Sequence, residues 1–358
     1  MRIIQIIDSL EAGGAERMAV NYANALAAKV EFSGLVATRK EGTLLAQLDK
    51  RVDYLFLNKR NSFDLKAVFL LRRFVIKNNV KIVHAHSTSF FIAFLLKVVC
   101  PSVKLIWHDH YGDSEFLNSR ATLIFRMTLP FFEGVISVNQ KLKDWSDQKL
   151  NCKNTVYLPN FPSLVNETGT PTFLKGIDGK RIVCLANLRS QKNHFLLLLV
   201  AKKLKVTHPD WTFHLVGKDF EDSYSAEIGK KIVEYNLKKT VFMYGSKNDI
   251  QNIMRQATIC VLTSKSEGLP VALLEYGRCK KPVVVTDVGE ISSVIQNGKN
   301  GFVVPQNEAL FYSALVKLIG NEFLRDAFGE TFFKMVSSSY SEEGIVKRYL
   351  KWLQKIEK

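Results

Sequence analysis

The chain has 358 residues, 47% hydrophobic and 23% charged, and carries a formal net charge of +16. That length holds two domains with separate cores, since single cores stop growing near about 250–300 residues, and the composition excludes long disorder and fibrous structure. The excess of cations calls for an acidic partner such as nucleic acid, an anionic membrane surface or a phosphorylated substrate, and the sign alone does not choose among them.

The opening M-R-I-I-Q-I-I-D is too short an apolar run for a signal peptide and meets Asp8 where a cleavage site would stand, so it reads as a first buried strand. Strand-like and helix-like segments then alternate: strand 2–7 and helix 15–28, strand 31–37, strand 54–57 and helix 65–78, strand 81–84 and helix 90–99, strands 104–107, 135–138 and 155–158. Strands with helical crossovers predict a parallel, doubly wound sheet. The polar, turn-rich stretch 166–171 reads as a linker. A second series follows, with strands 181–186, 211–216, 241–244, 259–262, 283–286 and 302–304 and a helix over 195–207. Apolar Ile345, Tyr349, Trp352, Leu353 and Ile356 recur at helical spacing, so 341–358 is expected as a docked helix. The fold class expected is α/β, with two Rossmann-like doubly wound parallel-sheet domains, 1–165 and 178–338, facing across a cleft; the helix 341–358 packs back on the first. Such sheets take ligands at the carboxyl ends of their strands.

Five scattered cysteines, Cys100, Cys152, Cys184, Cys260 and Cys279, never form a C-x-x-C pair. This argues against a disulfide framework or a cysteine zinc site and fits a reducing compartment. Apolar runs at 90–96 and 195–201 stop at Lys97 and Lys202, short of the roughly 20 residues that span a bilayer. The expected localisation is cytoplasmic, with contact at the inner face of the cytoplasmic membrane left open.

Chemistry concentrates in a few loops. In S-K-S-E-G-L-P-V-A-L-L-E-Y-G, residues 264–277, Gly268 and Pro270 mark a turn and the first residue of a helix, with Glu267 in the loop and Glu275 inside the helix. Two carboxylates beside a helix N-terminus suit an anion flanked by hydroxyls, which is the description of a nucleotide sugar, although a plain strand-turn-helix reads the same. Gly13-Gly14 falls at another strand-helix turn without a Walker or dinucleotide pattern, and stands equally as a tight turn or a close backbone approach to a ligand. Arg189 and Lys192 follow the strand 181–186, where they either neutralise a diphosphate or form a solvated basic loop. His84, His86, His108 and His110 crowd two predicted strand ends. Zinc ligands or hydrogen-bonded strand-end residues both fit them, and the absence of any D-x-D favours a site without metal.

This set resembles glycosyltransferase family 4, retaining enzymes of GT-B architecture. The residues that carry the resemblance are G-G-A-E-R (13–17), H-A-H-S (84–87), L-P-N-F (158–161), L-R-S-Q-K-N-H (188–194), Gly245, S-K-S-E-G-L-P-V-A-L-L-E (264–275), P-V-V-V-T-D-V-G (282–289) and N-G-K-N-G-F-V-V (297–304). The resemblance implies that Glu267 touches the transferred sugar and Glu275 holds the ribose diol. It places Lys192 on the diphosphate, beside Gly13, Gly14 and the N–H groups of Gly268 and Leu269. His110 is implied as the histidine near the reacting sugar, with His108 and His86 as secondary candidates. Departures are Asn187, where the family has a phosphate-loop arginine that Arg189 would replace, and Ser293 and Tyr276, read as altering donor preference.

The expected function is therefore a retaining, metal-independent, cofactor-free glycosyltransferase that uses a nucleotide-sugar donor and a glycan or lipid-linked acceptor in bacterial surface polysaccharide biosynthesis. A GT-B epimerase or phosphorylase is the alternative. A glycoside hydrolase has no use for a diphosphate loop, and a nucleic-acid binder would show a recognition motif that is absent. Aromatic and basic residues over 116–132, among them Arg120, Phe125, Arg126, Phe131 and Phe132, form either an ordinary core helix or an amphipathic surface for an anionic bilayer.

Overall fold

A computed structural model describes residues 1–150, 152, 154–163 and 170–357. The chain divides into two compact units, Met1–Val165 with Ser341–Lys358, and Asn166–Tyr340. Of the expected linker 166–171, positions 166–169 lie outside the described residues.

The first unit runs β1 (Arg2–Ser9), α1 (Gly14–Leu26), β2 (Phe32–Lys40), β3 (Asp53–Phe56), α2 (Leu65–Lys77), β4 (Ile82–His86) and α3 (Phe90–Val99). It continues with β5 (Lys104–Asp109), α4 (Leu123–Thr128), β6 (Gly134–Ser137), α5 (Gln140–Leu150) and β7 (Thr155–Tyr157). The second unit runs β8 (Arg181–Leu185), α6 (His194–Thr207), β9 (Thr212–Val216), α7 (Ser223–Glu234), β10 (Val241–Met243), α8 (Ile250–Gln256), β11 (Ile259–Leu262) and α9 (Val271–Arg278). It ends with β12 (Val283–Thr286), α10 (Ile291–Val294), β13 (Phe302–Val304), α11 (Glu308–Ile319) and α12 (Glu322–Ser339), after which α13 (Glu342–Glu357) returns to the first unit.

Both sheets are parallel throughout, in the orders β3-β2-β1-β4-β5-β6-β7 and β10-β9-β8-β11-β12-β13. Parallel strands are covered by helices on both faces. Ile3, Ile4, Ile6 and Ile7 of β1 are buried accordingly, and every residue of β4 is buried. The strand order reverses between β1 and β4 in one sheet and between β8 and β11 in the other. Such reversals open a crevice at the carboxyl ends of the strands, because the crossovers on the two sides leave in opposite directions.

Helix α13 belongs to the first unit's core. Ile345, Val346, Tyr349 and Leu353 are buried to 1% exposure or less. The Tyr349 ring lies 5.0 Å from Tyr22 of α1, and its hydroxyl lies 3.1 Å from His84 Nδ1. A Cβ at Gly134 in β6 would come within 2.7 Å of the Trp352 ring, so the bare backbone there admits the helix.

The segment 116–132 departs from expectation in detail. Arg120 faces inward, donating to both oxygens of Asp109 at 2.6 and 2.9 Å and stacking over Tyr111 and Trp145 at 4.2 and 4.4 Å. Phe125 packs on Trp107 at 4.8 Å and Phe132 is buried. The buried carboxylate and the aromatic faces offset the cost of taking the guanidinium out of water. Phe116, Leu123, Ile124, Arg126, Met127 and Phe131 face outward. Among the described residues no helix is long and apolar enough to cross a membrane.

If α13 is part of the core, Tyr349→Ala should cost about 3–5 kcal/mol, as for other buried aromatic truncations. Chemical denaturation followed by tryptophan fluorescence would register this, and an unchanged midpoint would sever the helix from the core.

Candidate active site

In the second unit the site grows from the carboxyl end of β11. The loop 263–270 is buried except at Lys265, and Glu267 within it is only 4% exposed. A carboxylate so placed needs partners. Lys192 Nζ donates to Glu267 Oε1 at 2.6 Å, and Ser264 Oγ donates to the same oxygen at 2.6 Å. The opposite side of the loop is pressed by the turn after β12. There Glu290 N donates to Gly268 O at 3.0 Å, and Gly289, at φ +58°, leaves no room for a Cβ, which would lie 2.1 Å from Glu267 O. Glycine is required there by both conformation and space.

Pro270 caps α9 from an extended conformation rather than occupying its first turn, and the helix starts at Val271. The residue after the cap is therefore the first to take helical dihedrals. Glu275 lies half-buried at the fifth position of α9. Leu269 is buried at 3% exposure. Tyr276 points into the sheet, accepting from Leu185 N at 2.7 Å and lying 3.3 Å from Val261 O. That position ties β8 to β11.

The other switch-point loop of this unit follows β8. Arg189 is exposed and sits 4.5 Å over the Phe220 ring, while Asn187 Oδ1 accepts from Lys218 N at 2.8 Å. Asn187 thus ties the loop after β8 to the loop after β9, a job of backbone support. Ser293 is exposed, with its hydroxyl on Glu290 Oε2 at 2.6 Å.

In the first unit Gly13 and Gly14 follow β1, beside its switch point. Gly13 is extended (φ −163°), and a Cβ at Gly14 would meet nothing within 4 Å. A Cβ at Gly13 would lie 2.1 Å from Glu16 Oε2, so local packing favours glycine at 13, while nothing within the fold requires it at 14.

The histidines form a layer on one face of β4 and β5. The register pairs His86 with His108, and alternation sends 84, 86, 108 and 110 to the same side. His84 Nε2 lies 3.2 Å from His108 Nδ1, and His86 Nδ1 lies 2.9 Å from His110 Nε2. His84, His86 and His108 are fully buried; His110 is half-buried. Burial, reinforced for the first three by their histidine neighbours, holds their pKa values well below the usual range, and burial alone lowers His110 to about 3. One donor atom from each of His84, His86 and His108 would fit within 4.8 Å of the others, the spacing of a possible metal site.

Two members of this layer escaped sequence reading. Gln5, whose Oε1 lies 2.8 Å from His86 Nε2, was signalled only by a polar residue inside an apolar strand. Tyr349 lies 265 positions away from His84, and no local pattern links the two.

Two parallel Rossmann-like sheets are the architecture of GT-B glycosyltransferases. The Anabaena protein HepE, solved with UDP-glucose, superposes with a TM-score of 0.79 at 16% identity over 99% of this chain and 100% of its own. The Glycosyltransferase Family 4 profile matches residues 12–161 and the Glycosyl transferases group 1 profile matches 173–335. The chain belongs to the group 1 glycosyltransferases of family 4 type. It is 24% identical to the UDP-Gal:alpha-D-GlcNAc-diphosphoundecaprenol alpha-1,3-galactosyltransferase of Escherichia coli over 82% of each chain. It is 25% identical to the amylovoran biosynthesis glycosyltransferase AmsD of Erwinia amylovora over 97% of this chain and 98% of the relative.

The histidine layer dictates a pH response. Each ring is neutral when folded and takes a proton near pH 6.5 when unfolded, so below that pH the unfolded state binds more protons and stability falls. Each histidine removes up to about 1.4 kcal/mol per pH unit. Unfolding free energy should be flat above about pH 6.5 and drop steeply from there toward pH 4. A curve that stays level through that window would mean that the histidines are not held neutral.

Proposed function

We propose that the enzyme is a retaining, metal-independent glycosyltransferase that moves a sugar from a nucleotide-diphosphate donor to a glycan or lipid-linked acceptor in bacterial surface polysaccharide assembly. The observation that carries this is the buried Glu267 carboxylate, held by Lys192 and Ser264 at the carboxyl end of β11, with Glu275 on the helix that follows. In this reading Glu267 accepts hydrogen bonds from hydroxyls of the transferred sugar and Glu275 accepts from the ribose diol. Lys192, with three donors, orients Glu267 and reaches the diphosphate, and Arg189 adds charge at the same loop. Gly13 and Gly14 admit close backbone approach, and His110 acts at the transferred sugar. His86 and His108 serve behind it.

Retention needs no protein nucleophile in a front-face transfer, where the departing diphosphate oxygen takes the acceptor's proton as the new glycosidic bond forms. The chain contains no D-x-D, and cationic side chains rather than a metal ion offset the diphosphate charge. Two relatives, one a UDP-Gal and diphosphoundecaprenol enzyme and one an amylovoran biosynthesis enzyme, support the donor and acceptor classes.

An anionic membrane surface is the second partner. Helix α2 exposes Leu65, Phe69, Leu70 and Ile76 together with Lys66, Arg72, Arg73 and Lys77, and residues 65–77 include no acid. Rings of Phe63, Phe91, Phe94 and Phe131 follow one another at 5.2, 6.2 and 5.1 Å, linking α2 across α3 to the outward residues of α4. Exposed apolar side chains among cations suit the headgroup region of an anionic bilayer.

Glu275→Ala should lower transfer about ten- to several-hundred-fold, the loss of one or two charge-assisted hydrogen bonds, and the product of the parent enzyme should keep the donor's anomeric configuration by proton NMR. Full activity in Glu275→Ala would remove that residue from the donor site, and an inverted anomer would end the retaining reading. In vesicle sedimentation the protein should bind phosphatidylglycerol-containing membranes, release in high salt, and lose about tenfold or more affinity in Leu65→Glu/Phe69→Glu, since each buried apolar side chain contributes about 1.5–3 kcal/mol. Equal binding to neutral vesicles, or none to either, would reject the membrane face.

A further inference from the structure

We infer that Gln5 and His86 are positioning residues that fix the tautomer of His110, keeping its proton on Nε2 and leaving Nδ1 as a hydrogen-bond acceptor for a sugar hydroxyl. The second half rests on the proposed role of His110 at the transferred sugar. The first half rests on the hydrogen-bond geometry with the Gln5 amide oxygen, rather than its nitrogen, turned to His86.

The reasoning starts at Gln5, a fully buried residue of β1 that the register places beside His84, so that its side chain reaches the histidine layer. A carbonyl oxygen only accepts. With Gln5 Oε1 at 2.8 Å from His86 Nε2, that nitrogen must carry the proton and donate. A neutral imidazole has one N–H, so His86 Nδ1 is a lone pair. His110 Nε2, 2.9 Å from that lone pair, must then donate in turn. The proton count of His110 is thereby used up, and its Nδ1 is bare.

The chain of donors holds only while the rings stay neutral, and their surroundings keep them so. The His86 ring lies 4.3 Å from His84 and 5.1 Å from His110, and the His108 ring lies 3.9 Å from His110, tilted by 32°. The nearest carboxylate in sequence, Asp109, is engaged by Arg120. Tyr22 of α1 closes the layer edge-on at 5.3 Å from His84, and Tyr349 of α13 stacks on His84 at 5.3 Å. A second proton on any ring would be buried among imidazoles, and among the described residues no acid acts on these rings to offset it. The consequence for chemistry is specific: a neutral acceptor recognises a hydroxyl, whereas a phosphate oxygen would need a donor or a cation. The metal arrangement of His84, His86 and His108 would require a lone pair from His86, but its Nε2 is protonated and its Nδ1 already accepts from His110.

The decisive measurement is a long-range proton–nitrogen NMR correlation on the full-length protein labelled at histidine nitrogen, with His110 assigned by the signal lost in His110→Asn. The expected spectrum shows His110 protonated at Nε2 and bare at Nδ1. Protonation at Nδ1 overturns the inference while leaving the role of His110 at the sugar intact, and stoichiometric zinc in the purified protein overturns it as well. Gln5→Met removes the accepting oxygen without changing bulk. It should bring up a Nδ1-protonated His110 signal and lower kcat about tenfold with donor KM within about twofold, and should add no further loss in a His110→Ala background. A tautomer shift without loss of kcat would uphold the positioning and overturn the sugar contact. Should Gln5→Met fail to fold, the parent spectrum alone decides.

Discussion

Parallel pairing is the constraint on which this molecule depends. When every strand of a sheet runs the same way, every strand-to-helix loop leaves by the same edge, and the only crevice along that edge lies where the strand order reverses. In the first sheet the reversal falls between β1 and β4, so Gly13-Gly14 and the His86 end of β4 flank it. In the second it falls between β8 and β11, and flanking it are the loop with Arg189 and Lys192 and the loop with Glu267. Residues separated by tens of positions are brought to one edge by hydrogen-bond direction alone.

Several polar groups set into these cores are satisfied by partners that cost little charge, although the Tyr22 hydroxyl and His108 Nε2 in the histidine layer find no partner among the described residues. Glu267 has an ammonium and a hydroxyl on one oxygen. Asp109 has a guanidinium held among aromatic faces. The histidines, with no anion near, stay neutral and hydrogen-bond to one another and to Gln5 and Tyr349. Each solution follows from the same rule, that a buried polar atom without a partner costs more than its hydrogen bond returns. Glu267, Asp109 and the buried histidines are consequently held in place by the fold itself.

Much of this was legible in the residues. The alternation of apolar runs and helical patterns gave both sheets because fully buried parallel strands leave dense apolar signatures such as 2–7 and 283–286. The glutamate pair, the basic loop and the strand-end histidines stood out as polar residues at the ends of such runs. Side-chain direction was less visible. Arg120, Phe125, Arg126 and Phe131 could be read as a core helix or as one amphipathic surface; Arg120 and Phe125 turn inward while Arg126 and Phe131 face out, since short irregular helices give no steady period from which to read a face.

By itself the sequence determined the class of fold, the two-part organisation and the family, because these rest on local periodicity and on short motifs whose residues are neighbours in the chain. Tertiary structure alone decided which side chains meet. It brought Tyr349 to His84, Gln5 to His86 and Gly289 to the Glu267 loop, contacts set by strand register and helix docking. Those are properties of surfaces packed against each other, and no spacing along the chain encodes them.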